Sequence, residues 1–442
     1  MPAYKYINRE LSSIEFNARV LHETSRKELP LMERLKFLTI TASNFDEFFQ
    51  VRVAAIKRAH KTSPHKADSS GLTPAALFKK ISARCHELTK LEYEILTNGI
   101  LPLLAKEGIA YVSPERYTAS QKTYAEKFFT NDVFPLLTPL RTDSKEFPHI
   151  GNLKLHGAYL LDKIQGLDEK ENPLSVKEKS NILAVVQIPS SIPRVVWLPS
   201  DDGVKHFTVL DDIITLFANN LFPGFRIKES MLFKVTRDAD FSVDESETSN
   251  YIQAMADVLD KRQSSFAVRM VCNNSSQKIL SILKQKLELE KDDIYEVNGL
   301  LDPTTLTSLT QIEEAQKLLY PDWQHFYPAD LPQEGTYWDT FRQRDVLLNV
   351  PYESYEPVVK FIRDAAEDPR ALAIKMTLYR TGSDSPIIEA LETAARNGKQ
   401  VTVFVELKAR FDEERNLSWA NRLEKAGAIV VYGIVNLRFT QK

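Results

Sequence analysis

The chain has 442 residues, 43% of them hydrophobic and 26% charged, with a formal net charge of −3, the balance of an ordinary globular protein of about three domains. That near-neutral charge excludes a global attraction to nucleic acid or to an anionic membrane, so any anion site has to be built locally. Cys85 and Cys272 lack CxxC or metal-ligand spacing, and no run of about 18 apolar residues occurs, which excludes a disulfide framework, a zinc cluster and a membrane-spanning helix.

The amino terminus, MPAYKYINRE, has no apolar signal core, and the expectation is a cytoplasmic protein, with peripheral attachment to the inner membrane left open. Residues 1–108 read as a helical domain. In TASNFDEFFQVRVAAIKRAH, Ser43 with Asp46, or Asn44 with Glu47, has the spacing of a capping box. A helix start there puts Asn44 at a helix mouth, either as a cap alone or beside a bound anion. KTSPHKADSSGL then reads as a loop. Thr73 and Pro74 start a long helix whose apolar face is Leu77, Ile81, Cys85, Leu88, Leu91 and Ile95.

Residues 109–325 mix strands and helices: HGAYLLDKI, NILAVVQIP and FAVRMVC are strand-like, and KILSILKQKLELE is helix-like. His149, His156, His206 and His325 are scattered without a catalytic spacing. From residue 326 the pattern changes. DVLLNVP, ALAIKMTLY, QVTVFVEL and AIVVYGI are strand-type runs separated by three helical segments, which predicts four strands of a mainly parallel sheet.

Ligands of such a sheet bind beyond the carboxyl ends of its strands. Two arginines follow those ends, Arg380 in Tyr379-Arg380-Thr381 and Arg410 in Lys408-Ala409-Arg410. They either clamp one phosphate with their guanidinium forks or pair with carboxylates such as Asp412 and Glu413. Neither a GxxxxGK[ST] loop nor a kinase-type GxGxxG is present, so the familiar nucleotide motifs are missing.

The blocks INRELSSIEFNARVL, PLMERLKFLTITASNFDEFFQVRVA, FPLLTPL, VPYESYEPVVKFIRDAAEDP, AIKMTLYRTGSDSPIIEAL and GKQVTVFVELKARFDEERNLSWANRLEKAGAIVVYG together resemble polyphosphate kinase, from near Ile7 to Gly433. The resemblance implies a multidomain protein combining α+β and α/β domains. A helical amino-terminal domain (1–108) precedes a mixed α+β head domain used in dimerisation (109–325), then an incomplete phospholipase D-like α/β domain (326–442). It implies reversible transfer of the terminal phosphate of ATP to polyphosphate, with Mg2+, in a homodimer. It also makes Asn44 the amino-terminal contact to ATP, and Arg380 and Arg410 phosphate contacts adjacent to Mg2+ rather than direct metal ligands.

Three departures stand out. Ser13 replaces a tryptophan after the RELS stretch, and Asn349 and Val350 replace a pair that is commonly histidine. Thr440 occupies the place of the phosphate-carrying histidine, with no histidine beyond His325. A threonine hydroxyl is a poor nucleophile without an activating base, so the expectation is a chain that is inactive alone. The alternative is a non-catalytic dimerising module that binds ATP or polyphosphate. A lost first base in codons for Lys-Ile-His-Ala-Lys yields Arg438-Phe439-Thr440-Gln441 and, before a purine, Lys442. A reading-frame shift is therefore the expected origin of the last five residues.

Overall fold

In the computed structural model the described residues are 6–142, 147–164, 182–239, 265–273, 276–379, 382, 385–405 and 413–432. Contacts divide the chain into two compact units, residues 1–241 with 260–320, and residues 242–259 with 321–442.

The first unit begins with helix α1 (Arg9–Glu23), whose cap Asn8 accepts a hydrogen bond from the Leu11 amide. Helix α2 (Leu31–Phe48) runs through a π-helical turn, Phe49–Val53, into α3 (Ala54–Thr62). Helix α4 (Pro74–Ile95) starts as the sequence predicts, with Thr73 accepting from the Ala76 amide and proline in the first turn. Leu77, Ile81, Cys85 and Leu88 form its buried face, whereas Leu91 is exposed because the stripe drifts off the packed side in the last turns.

The strands that follow are β1 (Ile109–Tyr111), β2 (Leu140–Arg141), β3 (Leu155–Lys163), β4 (Ile182–Gln187), β5 (Val195–Trp197), β6 (Lys205–Val209), β7 (Phe225–Arg237), β8 (Ala267–Asn273) and β9 (Ile294–Val297). They form a small sheet, β1-β6-β5, and a six-stranded sheet, β2-β4-β3-β7-β8-β9. The larger sheet is antiparallel except for its last pair, β8 and β9.

Strand β3 explains how this sheet joins the helices. Its residues 155–161 are all buried, so both faces are covered. Tyr159 and Leu161 share one apolar core with Phe45, Ile81 and Leu88 of α2 and α4. Ala158 and Leu160, on the other face, pack in a second core with Ile279 and Leu283 of the helix Gln277–Lys286. The two-residue period of a strand thus lets one sequence serve two cores.

The second unit has three parallel strands, β10 (Ala373–Leu378), β11 (Gln400–Val405) and β12 (Ile429–Tyr432), in that order. Val401, Val403 and Val405 are buried against the helices Glu356–Glu367, Pro386–Arg396 and Glu413–Lys425, with Ile362, Leu391 and Leu423 completing the core. The intervening Thr402 and Phe404 point to the other face and are half-buried. The predicted first strand, DVLLNVP, is not a strand. Residues 345–349 carry no regular structure, and Leu347 is 88% exposed. An apolar run of this length forms a strand only where a neighbour completes its ladder, and Pro351 cannot donate to one.

Candidate functional site

The carboxyl edge of the parallel sheet is built as the sequence pattern requires. Leu378 and Val405 are register partners at adjacent strand ends, and Val405 pairs in turn with Tyr432. Arg380 and Arg410, which follow these ends in sequence, lie outside the described residues, as do Lys408 and Thr440. Beside the end of β10, one side chain to backbone bond joins described residues. Asn416 is buried, and its Nδ2 donates to the Tyr379 carbonyl at 3.2 Å, tying the helix Glu413–Lys425 to the exit of β10. The helix Pro386–Arg396 begins at this edge, where the Ile388 amide donates to the Ser385 carbonyl at 3.0 Å.

In the first unit the expected helix start at Ser43 or Asn44 is corrected. Both residues lie inside α2, which begins twelve or more residues earlier at Leu31. The physical reason is the stripe Met32, Leu35, Leu38, Ala42 and Phe45, all buried, which carries the helix through this position. Asp46 is unavailable as a capping partner because it is buried in an ion network. The helix-mouth argument for an anion at Asn44 falls with the cap. Asn44 instead faces α1: its Nδ2 donates to Asn17 Oδ1 at 2.8 Å, and Asn17 Nδ2 donates to the Ser13 carbonyl at 3.0 Å.

The network around Asp46 fixes α2 to the six-stranded sheet. Lys234 of β7 donates to Asp46 at 2.7 Å and to Asp302 at 2.9 Å, and Arg269 of β8 also donates to Asp46. The Arg269 guanidinium lies 4.2 Å from the centre of the Phe49 ring. Beside Asp302, Arg194 grips Asp211 with two bonds of 2.7 and 3.0 Å and donates to the Asp302 carbonyl. Glu92 of α4 faces the same interior, and its Oε1 has no hydrogen-bond partner among the described residues. Burial pushes the Glu92 carboxyl up to about 8, with the nearby Arg269 charge pulling it back only in part.

Sequence reasoning missed Asn17, Lys234, Arg269, Asp302 and Glu92. A signal existed for two of them: Lys234 and Arg269 interrupt strand-type apolar runs, where an unpaired charge is too costly to keep. Of the scattered histidines, His156 is 2% exposed and its Nδ1 bonds the Lys154 carbonyl. Burial lowers its pKa to about 4, so it is neutral and packed rather than reactive. Cys85 and Cys272 are free and buried, which pushes both thiols up to about 12. Among the described residues no three His, Cys, Asp or Glu side chains converge on a point where a metal ion could sit, and no helix is long and apolar enough to cross a membrane.

Three family models match the chain in order: polyphosphate kinase N-terminal domain at residues 6–112, middle domain at 120–309 and C-terminal domain 1 at 336–442. The chain is 41% identical over 453 residues to the polyphosphate kinase of Halalkalibacterium halodurans, a match covering 100% of this chain and 62% of that protein. It is 38% identical over 437 residues to that of Pseudomonas aeruginosa, covering 98% of this chain and 62% of the relative. The crystal structure of polyphosphate kinase from Porphyromonas gingivalis superposes with a TM-score of 0.76 at 29% identity, covering 99% of this chain and 60% of that one. The chain therefore spans about three-fifths of the length of the relatives it matches.

Proposed function

The chain belongs to the polyphosphate kinase family, and on that premise we propose that it is the nucleotide- and phosphate-binding front portion of an ATP:polyphosphate phosphotransferase. The observation that carries the reading is the in-order match of three family models to almost the whole chain. In this reading Asn44 contacts ATP from the first unit. Arg380 and Arg410 hold phosphate oxygens at the carboxyl edge of the parallel sheet, where a guanidinium pair stabilises charge spread during phosphoryl transfer. In this reading Mg2+ arrives as a partner of the nucleotide's phosphates. The described residues offer no carboxylate cage, and arginine cannot ligate a cation. Bound in that way it would neutralise phosphate charge. The sheet-rich part of the first unit serves homodimerisation.

In the family reading Thr440 falls at the position of the phosphate-carrying histidine. This favours a second reading beside the first, a dimerising module that binds ATP or polyphosphate without transferring phosphate. Incubation with γ-labelled ATP and magnesium separates the two. We expect ATP binding without acid-labile phosphate on the protein and without polymer. Acid-labile phosphoprotein together with polymer would overturn the non-catalytic reading, and an absence of ATP binding would overturn both.

A further inference from the structure

Three hydrogen-bonding groups in a row link the body of α1 to Asn44, and their order is dictated by chemistry. The Ser13 carbonyl can only accept. Asn17, 5% exposed, donates its Nδ2 to that oxygen at 3.0 Å. The Asn17 oxygen is thereby turned toward α2, where it demands a donor, and Asn44 Nδ2 supplies it at 2.8 Å. A backbone carbonyl thus sets the sense of both side-chain amides, which neither could set alone. Asn44 Oδ1 takes no hydrogen bond from the described residues, and the second Asn44 N–H is also left over. Asn44 itself is half-buried, so this remaining edge has access to solvent. Ile40, one turn before Asn44 on α2, is 45% exposed, whereas Phe16, beside Asn17 on α1, is 52% exposed and has the Arg19 guanidinium 5.6 Å from its ring centre.

Resting on the reading of Asn44 as a nucleotide contact, we propose that Asn17 is a positioning residue that makes this contact specific for adenine. With the amide held in one sense, Oδ1 accepts from the exocyclic amino group of adenine, and the remaining N–H donates to a neighbouring ring nitrogen. That acceptor–donor pair is the one with which asparagine reads adenine edges in nucleic acids. Guanine and hypoxanthine carry an oxygen in place of the amino group, and it meets Oδ1 as acceptor against acceptor. An amide free to flip would offer its N–H₂ to that oxygen and lose the distinction. Ile40, one turn before Asn44 on the same face of α2, supplies apolar surface suited to the face of a base.

The test measures ATP and inosine triphosphate binding to the whole chain by calorimetry or equilibrium dialysis. On the edge asparagine reads in nucleic acids, inosine triphosphate differs from ATP in presenting an oxygen in place of the amino group, with the neighbouring ring nitrogen unchanged. The unaltered chain should prefer ATP by roughly tenfold, the scale of one two-bond base contact. Asn44→Ala should abolish that preference and weaken ATP binding. Asn17→Ala should bring the ratio to near one with far-UV circular dichroism and thermal transition intact. Asn17→Leu, close to asparagine in shape, takes its place if alanine unfolds the helix. If folded Asn17→Ala or Asn17→Leu keeps the original ratio while Asn44→Ala loses it, the role given to Asn17 is wrong and the nucleotide contact stands. If Asn44→Ala leaves ATP binding unchanged, or the chain binds no ATP, the contact itself is wrong and the inference goes with it.

Discussion

Replacing Glu92 with glutamine should change how the stability of the first unit depends on pH, and the direction follows from the burial of that carboxyl. Burial raises its pKa from an ordinary 4.5 to about 8. Between those two values the folded chain keeps the proton and the unfolded chain releases it. The folded state therefore binds more protons, and stability falls as pH rises through this window. Below it both states are protonated, above it both are ionised, and the slope vanishes. At about 1.4 kcal/mol per pKa unit, the whole loss is on the order of 4–5 kcal/mol. Glutamine keeps the shape and the neutral form but cannot ionise. The variant should match the parent near the acid end of the window and exceed it by up to several kcal/mol near pH ~8. Urea unfolding followed by far-UV circular dichroism, with Trp197 fluorescence reporting on the first unit, measures the difference at several pH values. Asp302, whose pKa is lowered by Lys234 against the opposing effect of burial, loses its contribution only in more acidic solution. Asp212, raised to about 7 by burial, titrates in both proteins and cancels from the comparison. Parallel stability curves for the two proteins across the window would refute the reasoning.

Removing the cation from the centre of the network should be severe. Lys234→Met leaves Asp46 and Asp302 buried without their shared ammonium, and a loss of about 3–5 kcal/mol is expected in the same urea assay. The cysteines supply a chemical check on packing. With both thiols buried and pushed up to about 12, a disulfide reagent at neutral pH should label neither in the native chain and both in denaturant. Rapid native labelling would mean that the cores around Cys85 and Cys272 open far more easily than their burial implies.

What could be read in advance was what depends on local periodicity. The Thr73-Pro74 start, the stripe of α4, strands β3, β4 and β8, and the strand-helix alternation after residue 370 all follow from spacing alone. Two local signals misled. Ser43 and Asn44 have the chemistry of a cap, but a helix already under way through Met32, Leu35 and Leu38 overrides it. The 345–351 run has the composition of a strand without a partner to pair with. The candidate site was legible as residue types and not as geometry. Asn44 meets Asn17 across 27 positions of sequence, and Asp46 meets Lys234 across 188. No window of local pattern spans such distances. Arg380, Arg410 and Thr440 lie outside the described residues, and their roles rest on the family alone.

The ion network around Asp46 also has a mechanical meaning. Asp46 is two residues from Asn44 on one continuous helix and is held from β7 and β8 at the same time. Moving Asn44 by even a fraction of a helical turn would pull a buried carboxylate off two cations, so α2 and the six-stranded sheet share one stiffness. Such an arrangement works as an anvil. It holds the Asn44 amide at a fixed height and orientation relative to β7 and β8. Substitutions that soften the network should therefore widen the spread of positions Asn44 samples before they abolish any bond that Asn44 itself makes.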